Sequence, residues 1–210
     1  SGPALGYSWV SPRYIKETNV NGMELVEDFN MGNELRLFGG AMGRFSGADR
    51  GRWIFNAADQ QGYRWAPGRF VLAQVGFSGR EAGGALENAL AFANANLVWK
   101  SARAFEATWV GHAEMAVGRK LDGENQVILG GDNGLRGYKN NSFGGAKSVL
   151  FNIENRFVFP GEYLHLLRFG GTVFFDSGSV VPEGGGFSLT RLKSDVGFGL
   201  RIASTRSRSG

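Results

Sequence analysis

Apolar and polar residues alternate along most of this chain. In SVLFNIENRFVF, one face carries Val149, Phe151, Ile153, Phe157 and Phe159, and the other carries Ser148, Asn152, Glu154 and Arg156. RFGGTVFFDSG sets Phe169, Val173 and Phe175 against Arg168, Thr172, Phe174 and Asp176. KSDVGFGLRIA sets Val196, Phe198, Leu200 and Ile202 against Lys193, Asp195 and Arg201. The same period runs through RAFEATWVGHAEMAVGRK, where Phe105, Trp109 and Met115 oppose Glu106, His112 and Glu114. It recurs in NALAFANANLVW and, earlier, in NELRLFGGAMGRF, where Leu35, Leu37, Ala41 and Phe45 oppose Glu34, Arg36 and Arg44. A period of two predicts half-buried strands, and helical periodicity is scarce. The pattern predicts about ten strands joined as a meander, with short turns alternating with longer polar loops such as SGADRG and VPEGGGFSLTR.

A soluble sandwich also alternates, with its apolar face turned inward. Three features point instead to a transmembrane antiparallel meander β-barrel. The strands often exceed ten residues, which suits the ~9–11 residues of a strand tilted across a bilayer. Charges of both signs sit in mid-strand, as a watery lumen allows. Phe and Trp cluster near strand ends, like an interfacial girdle. No apolar run approaches the ~20 residues of a membrane helix, and SGPALGYSW has neither the basic start nor the apolar stretch of a secretory signal. Residues 1–210 show no break in composition and are expected to form a single barrel domain.

Composition narrows the chemistry. There is no cysteine, which excludes disulfides and thiolate metal sites. The net charge of +4 is scattered along the chain, with no basic patch of the kind that binds nucleic acid. The basic tail STRSRSG is short, and a solvated end accounts for it. His112 and His165 are the only histidines. His112 with Glu114 provides two ligands at i, i+2 without a third, so lumen polarity explains them better than a metal. No G-x-S-x-G elbow or Ser/His/Asp order is present, so no catalytic residue and no cofactor are expected. Trp53, Trp65, Trp99 and Trp109 fit an interfacial belt better than a ligand platform.

The stretch GGDNGLRGYKNN (Gly130 to Asn141) is glycine-rich, but it lacks the G-x-x-x-x-G-K-[ST] spacing of a phosphate loop and no helix follows it. It is also too long for a plain hairpin turn, and long loops are usually functional or disordered. Downstream, the polar faces of the next two strands offer Glu154 and Asp176. If those strands are neighbours, a loop folding inward could set Arg136 between the two carboxylates. Gly134 and Gly137 would allow its backbone close to the wall, and a guanidinium fork would pin it.

GLRGY (Gly134, Leu135, Arg136, Gly137, Tyr138), NIENRF (Asn152 to Phe157) and FFDSG (with Phe174, Asp176 and Gly178) resemble, in that order, the motifs of the BamA–TamA–TpsB superfamily. These are outer-membrane assembly and secretion barrels, with bacterial surface-antigen proteins and patatin-fused barrels among them. The resemblance covers the C-terminal barrel region. It implies that the [VL]-R-G-[YF] motif lies on a long extracellular loop folded back into the lumen. Arg136 would then bond Asp176 of the F-x-D-x-G motif and Glu154 of the intervening strand. VEDFNMG (Val26 to Gly32) is similar, more loosely, to the family's middle-barrel region. The family barrel has sixteen strands and closes on a strand with a terminal aromatic, so these residues are expected to be part of a larger barrel or a smaller variant closed in another way. No POTRA domain or other N-terminal module is visible.

The resemblance implies a non-enzymatic protein of the bacterial or organellar outer membrane. It would insert outer-membrane proteins or translocate polypeptides. Its partners would be the lipid bilayer, unfolded outer-membrane or secreted clients, and POTRA domains or accessory lipoproteins. Two alternatives stand beside it. One is a membrane-anchoring barrel that tethers or displays a fused enzyme such as a patatin-like lipase. The other is a soluble β-barrel binding an apolar ligand.

Overall fold

A computed structural model describes residues 2–43, 51–101, 106–164 and 166–204. Arg44, Phe45, most of SGADRG, Phe105, His165 and nearly all of the basic tail lie outside the described residues. The described chain holds thirteen strands: β1 (Ala4–Val10), β2 (Tyr14–Thr18), β3 (Val26–Asn30), β4 (Asn33–Met42), β5 (Arg52–Ala66), β6 (Arg69–Ala82), β7 (Ala85–Ser101), β8 (Glu106–Arg119), β9 (Val127–Leu129), β10 (Phe143–Gly145), β11 (Lys147–Val158), β12 (Leu167–Val181) and β13 (Lys193–Ser204). A short 3-10 turn, Leu189–Arg191, precedes β13. The described residues contain no α-helix.

Nine strands form one antiparallel sheet in the order β1-β4-β5-β6-β7-β8-β11-β12-β13. The meander is interrupted twice. Between β1 and β4 the chain makes the separate hairpin β2–β3, and between β8 and β11 it makes the small pair β9–β10. Six of the wall strands were legible as single alternating segments, whereas both excursions depart from a simple meander. The strands are long: β7 has 17 residues, and β5 and β12 have 15 each, ample for a tilted bilayer crossing. Tight turns join some of them. β6 and β7 are linked by Gly83 and Gly84 alone, both at positive φ (61° and 82°). This is the two-residue geometry that matches strand twist and that only residues without a Cβ adopt freely.

The two faces of the sheet differ in kind. One, hereafter the outer face, exposes Val75, Phe77, Leu97, Met115, Phe151, Ile153, Val173, Phe175, Val196, Phe198, Leu200 and Ile202. An apolar band of this extent on a water-soluble chain would be an association site, whereas in hydrocarbon it is the surface a barrel requires. The inner face carries Asn96, His112, Asn152, Glu154, Arg156, Thr172 and Asp176, and both excursions fold over it. Among the described residues two dry clusters lie under them: Val20, Met31, Phe70 and Val98 at the β2–β3 hairpin, and Leu129, Leu135 and Leu150 beneath the β9–β10 excursion.

The tryptophans sort by height. Trp99 pairs across the ladder with Trp109 and on its other side with Arg69, whose guanidinium lies 4.7 Å over the Trp99 ring. Trp65 is close to the same end of the sheet, at the turn between β5 and β6, whereas Trp53 stands opposite Glu81 at the other end. VEDFNMG does not form wall: Val26 to Asn30 is β3, one arm of the inner hairpin.

Candidate functional site

The excursion between Arg119 and Lys147 folds back onto the inner face of β11, β12 and β13. Its base is the β9–β10 pair, Phe143 opposite Leu129 and Gly145 opposite Val127. Its tip is closed by backbone bonds from the Leu135 N–H to the Gly130 carbonyl (2.9 Å) and from the Tyr138 N–H to the Leu135 carbonyl (3.0 Å). Leu135 is fully buried and packs with Leu129 and Leu150, ringed by Tyr138, Phe143 and Val180. Tyr138 meets Phe143 edge-on at 5.2 Å and donates its hydroxyl to the Ser194 carbonyl at 3.3 Å. Burial of one leucine side chain is worth about 1.5–3 kcal/mol, so the tip has its own apolar anchor beside its polar one.

Gly134 is where the backbone comes closest to the wall. Its φ is +92°, and a Cβ there would lie 2.2 Å from Leu150 Cδ2. At Gly137 a Cβ would meet Asp195 Cβ at 2.6 Å, and at Gly178 one would meet Leu129 Cδ1 at 2.9 Å. Both sides of the contact are thus cleared of side chain.

Arg136 projects from this tip onto the wall. Nε donates to Asp176 Oδ2 (2.9 Å), Nη2 to Asp176 Oδ1 (2.8 Å) and Nη1 to Glu154 Oε2 (2.6 Å). Its backbone N–H also donates to Asp176 Oδ2, at 3.2 Å. The guanidinium lies 3.6 Å over the centre of the Phe174 ring. The hydrogen bonds from Arg136 to Asp176, with help from Glu154, hold its pKa above the ordinary arginine value. Asp176 is fully buried. A carboxylate in that position requires compensation from several donors, and here it receives them from Arg136 and from Asn152 Nδ2 (2.7 Å).

The structure therefore brings together Arg136, Glu154, Phe174 and Asp176, with Gly134, Leu135, Gly137, Tyr138 and Gly178 supplying the fit. Three further residues complete the cluster. Asn152 also donates to the Gly134 carbonyl (2.6 Å), tying the loop backbone directly to β11. Thr172 Oγ1 and Arg156 Nε both donate to Glu154 Oε1, at 2.7 Å and 2.8 Å. Their signal was the alternation itself: Asn152, Glu154 and Arg156 are successive inner-face positions of NIENRF. Asp195 faces Asp176 in the β12–β13 register. Its carboxylate oxygens are buried against Gly137 of the loop, an arrangement that only strand register discloses.

Nothing in this constellation is a nucleophile with its base. His112 stands apart, its Nδ1 2.8 Å from Asn96 Oδ1 and its Nε2 3.6 Å from Glu114. Among the described residues no group of three His, Asp or Glu side chains could hold a metal ion. The loop leaves a cleft of about 670 Å³ between itself and the inner face of β7 and β8, lined by His112, Glu114, Asn133 and Asn152 among others.

Long antiparallel strands, an apolar outer band and a polar inner face covered by inward segments define the wall of a membrane β-barrel. The particular family follows from comparison: the Omp85 superfamily domain matches residues 85–207, which run from β7 to just past β13. The chain belongs to the Omp85 superfamily, a family of outer-membrane barrels whose members are in general transporters and insertases rather than enzymes. No curated protein and no solved structure matches the chain.

Proposed function

We propose that this barrel inserts client proteins into the outer membrane or passes polypeptides across it, with the loop Gly134–Tyr138 folded into the lumen and pinned there. Membership of the Omp85 superfamily supports the reading. The observation that carries the loop's part in it is the fork from Arg136 to Asp176 and Glu154. A loop held by three charged hydrogen bonds shapes the lumen through which, or beside which, a client must move. Arg136 is a positioning residue in this scheme, not a catalyst. The outer band meets lipid, and clients reach the barrel unfolded, delivered by periplasmic POTRA domains or accessory lipoproteins.

Proteoliposomes carrying the full-length protein test the proposal. An unfolded outer-membrane client is added outside, and its protease resistance is followed in time. Faster folding than with empty liposomes is the outcome expected for insertion, and client protected inside the vesicle is the outcome expected for translocation. If neither differs from empty liposomes, the proposal fails and an anchoring role for a fused enzyme takes its place.

A further inference from the structure

The hairpin β2–β3 occupies the inner face at the end opposite the arginine loop. β1 and β4 stop short of that end: Val10 pairs with Glu34 and Asn33 with Gln61, while β5 runs on to Ala66. Between them the chain leaves the wall at Ser11 and rejoins it at Gly32. Only glycine fits that corner, because a Cβ on Gly32 would lie 1.6 Å from the Ser11 carbonyl oxygen. The hairpin then covers Phe70 and Val98 of the inner face, and with Val20 and Met31 these form the driest cluster beneath it.

The hairpin reaches strand after strand around the wall. Glu17 bonds Arg64 of β5 (3.3 Å), Lys100 of β7 (3.0 Å) and the Gly68 N–H (3.0 Å). Glu24 bonds Arg168 of β12 at 2.7 Å. Arg156 of β11 donates to the Val20 carbonyl, and Arg201 of β13 donates to the Asn21 carbonyl at 2.5 Å. Acids and carbonyls of the hairpin thus meet cations from five wall strands. A segment that merely connected β1 to β4 would need none of these contacts.

We propose that the β2–β3 hairpin is a resident plug, clamped across the lumen mouth opposite the arginine loop by Glu17 and Glu24, and that it must be released before that mouth conducts. The inference rests on the barrel, not on the choice between insertion and translocation, so its test uses ions and a thiol reagent rather than a client.

These 210 residues contain no cysteine, so the introduced thiol is the only one among them, and any cysteine elsewhere in the full-length protein is first replaced by serine. Val98→Cys is introduced into the full-length protein, alone and together with Glu17→Lys and Glu24→Lys. Labelling by a charged, water-soluble thiol reagent and conductance in planar bilayers are then measured, with folding checked by gel mobility before and after heating. With the native clamp, the introduced thiol should be protected and conductance low; once the clamp charges are reversed, labelling should be rapid and conductance raised. Rapid labelling or open-pore conductance with the native clamp overturns the plug. A folded clamp variant that stays protected and closed overturns the clamp. If the clamp variant does not fold, Val98→Cys alone still decides whether the mouth is covered.

Discussion

Replacing Arg136 with alanine removes three side-chain hydrogen bonds at once and leaves Asp176, which has no exposed surface, with only Asn152 Nδ2 and the loop N–H. Breaking a buried ion pair from one side costs roughly 3–5 kcal/mol, because the surviving charge stays buried. The Arg136 side chain is 35 % exposed, and water in the lumen can partly replace it, so the lower end of that range is expected. Asp176→Asn keeps the volume and one acceptor. It loses the charge assistance that makes such bonds worth about 1.5–3 kcal/mol rather than about 1. Once either partner is gone the other has little left to lose. The double variant should therefore fall short of the sum of the singles by about 1.5–3 kcal/mol, within the range measured for groups in direct contact. Arg136→Lys should not rescue, since an ammonium cannot make the fork to Asp176 while reaching Glu154. Urea unfolding of the full-length barrel in detergent, read by gel mobility without heating, measures all four corners of the cycle. Losses that add to within about 0.5 kcal/mol would mean that Arg136 and Asp176 do not hold each other, and the account of the loop's anchor would be wrong.

Gly134→Ala should cost about 1–3 kcal/mol, because it combines φ = +92° with a Cβ 2.2 Å from Leu150; limited proteolysis of the loop should speed up, and unchanged cleavage would refute the close approach. Phe174→Leu keeps an apolar side chain but removes the ring 3.6 Å beneath the guanidinium, a loss of about 0.5–2 kcal/mol. That loss should shrink when Arg136 is already alanine, and an equal loss in both backgrounds would assign it to packing alone. Ile153→Arg on the outer face, near the middle of β11, should destabilise the bilayer-embedded barrel by about 2–4 kcal/mol, whereas Asn94→Arg on the inner face should cost much less. The same ranking reversed in reconstituted bilayers would mean that the faces have been assigned the wrong way round.

The wall was legible because its signal is local. Alternation in SVLFNIENRFVF is enough to set Asn152, Glu154 and Arg156 on one face and Phe151 and Ile153 on the other, and β11 has that arrangement. The meeting of Arg136 with Glu154 and Asp176 rested on the same alternation and on two assumptions, that the next two strands are neighbours and that the loop folds inward, the second also implied by the family resemblance; β11 and β12 are neighbours and the loop lies on them. The inner hairpin was not legible. YIKETNVNGMELVEDFN shows no clean period of two, with apolar residues at Ile15, Val20, Met23, Leu25, Val26 and Phe29, and nothing local says that Val10 pairs with Glu34 so that the intervening residues must turn inward. The decisive facts there are long-range: the ladder register, and a glycine at 32 whose missing Cβ matters only once Ser11 lies against it. Asp195 is a case of the same kind. Its place on the polar face of KSDVGFGL was plain, but its opposition to Asp176 is a property of register between β12 and β13.

Glu154 joins the two inward segments. Oε2 accepts from Arg136 of the loop, and Oε1 accepts from Arg156 and Thr172. Arg156 in turn donates to the hairpin at Val20. A carboxylate can accept about four hydrogen bonds, so Glu154 can serve both segments at once, and its mid-wall position on β11 is the height at which both can reach it. The consequence is energetic. With both segments seated, the negative charge of Glu154 is balanced by two guanidinium groups. Arg156 uses Nε for Glu154 and Nη1 for the Val20 carbonyl, so it holds the carboxylate and the hairpin at once through different nitrogens, while Arg136 takes the other carboxylate oxygen.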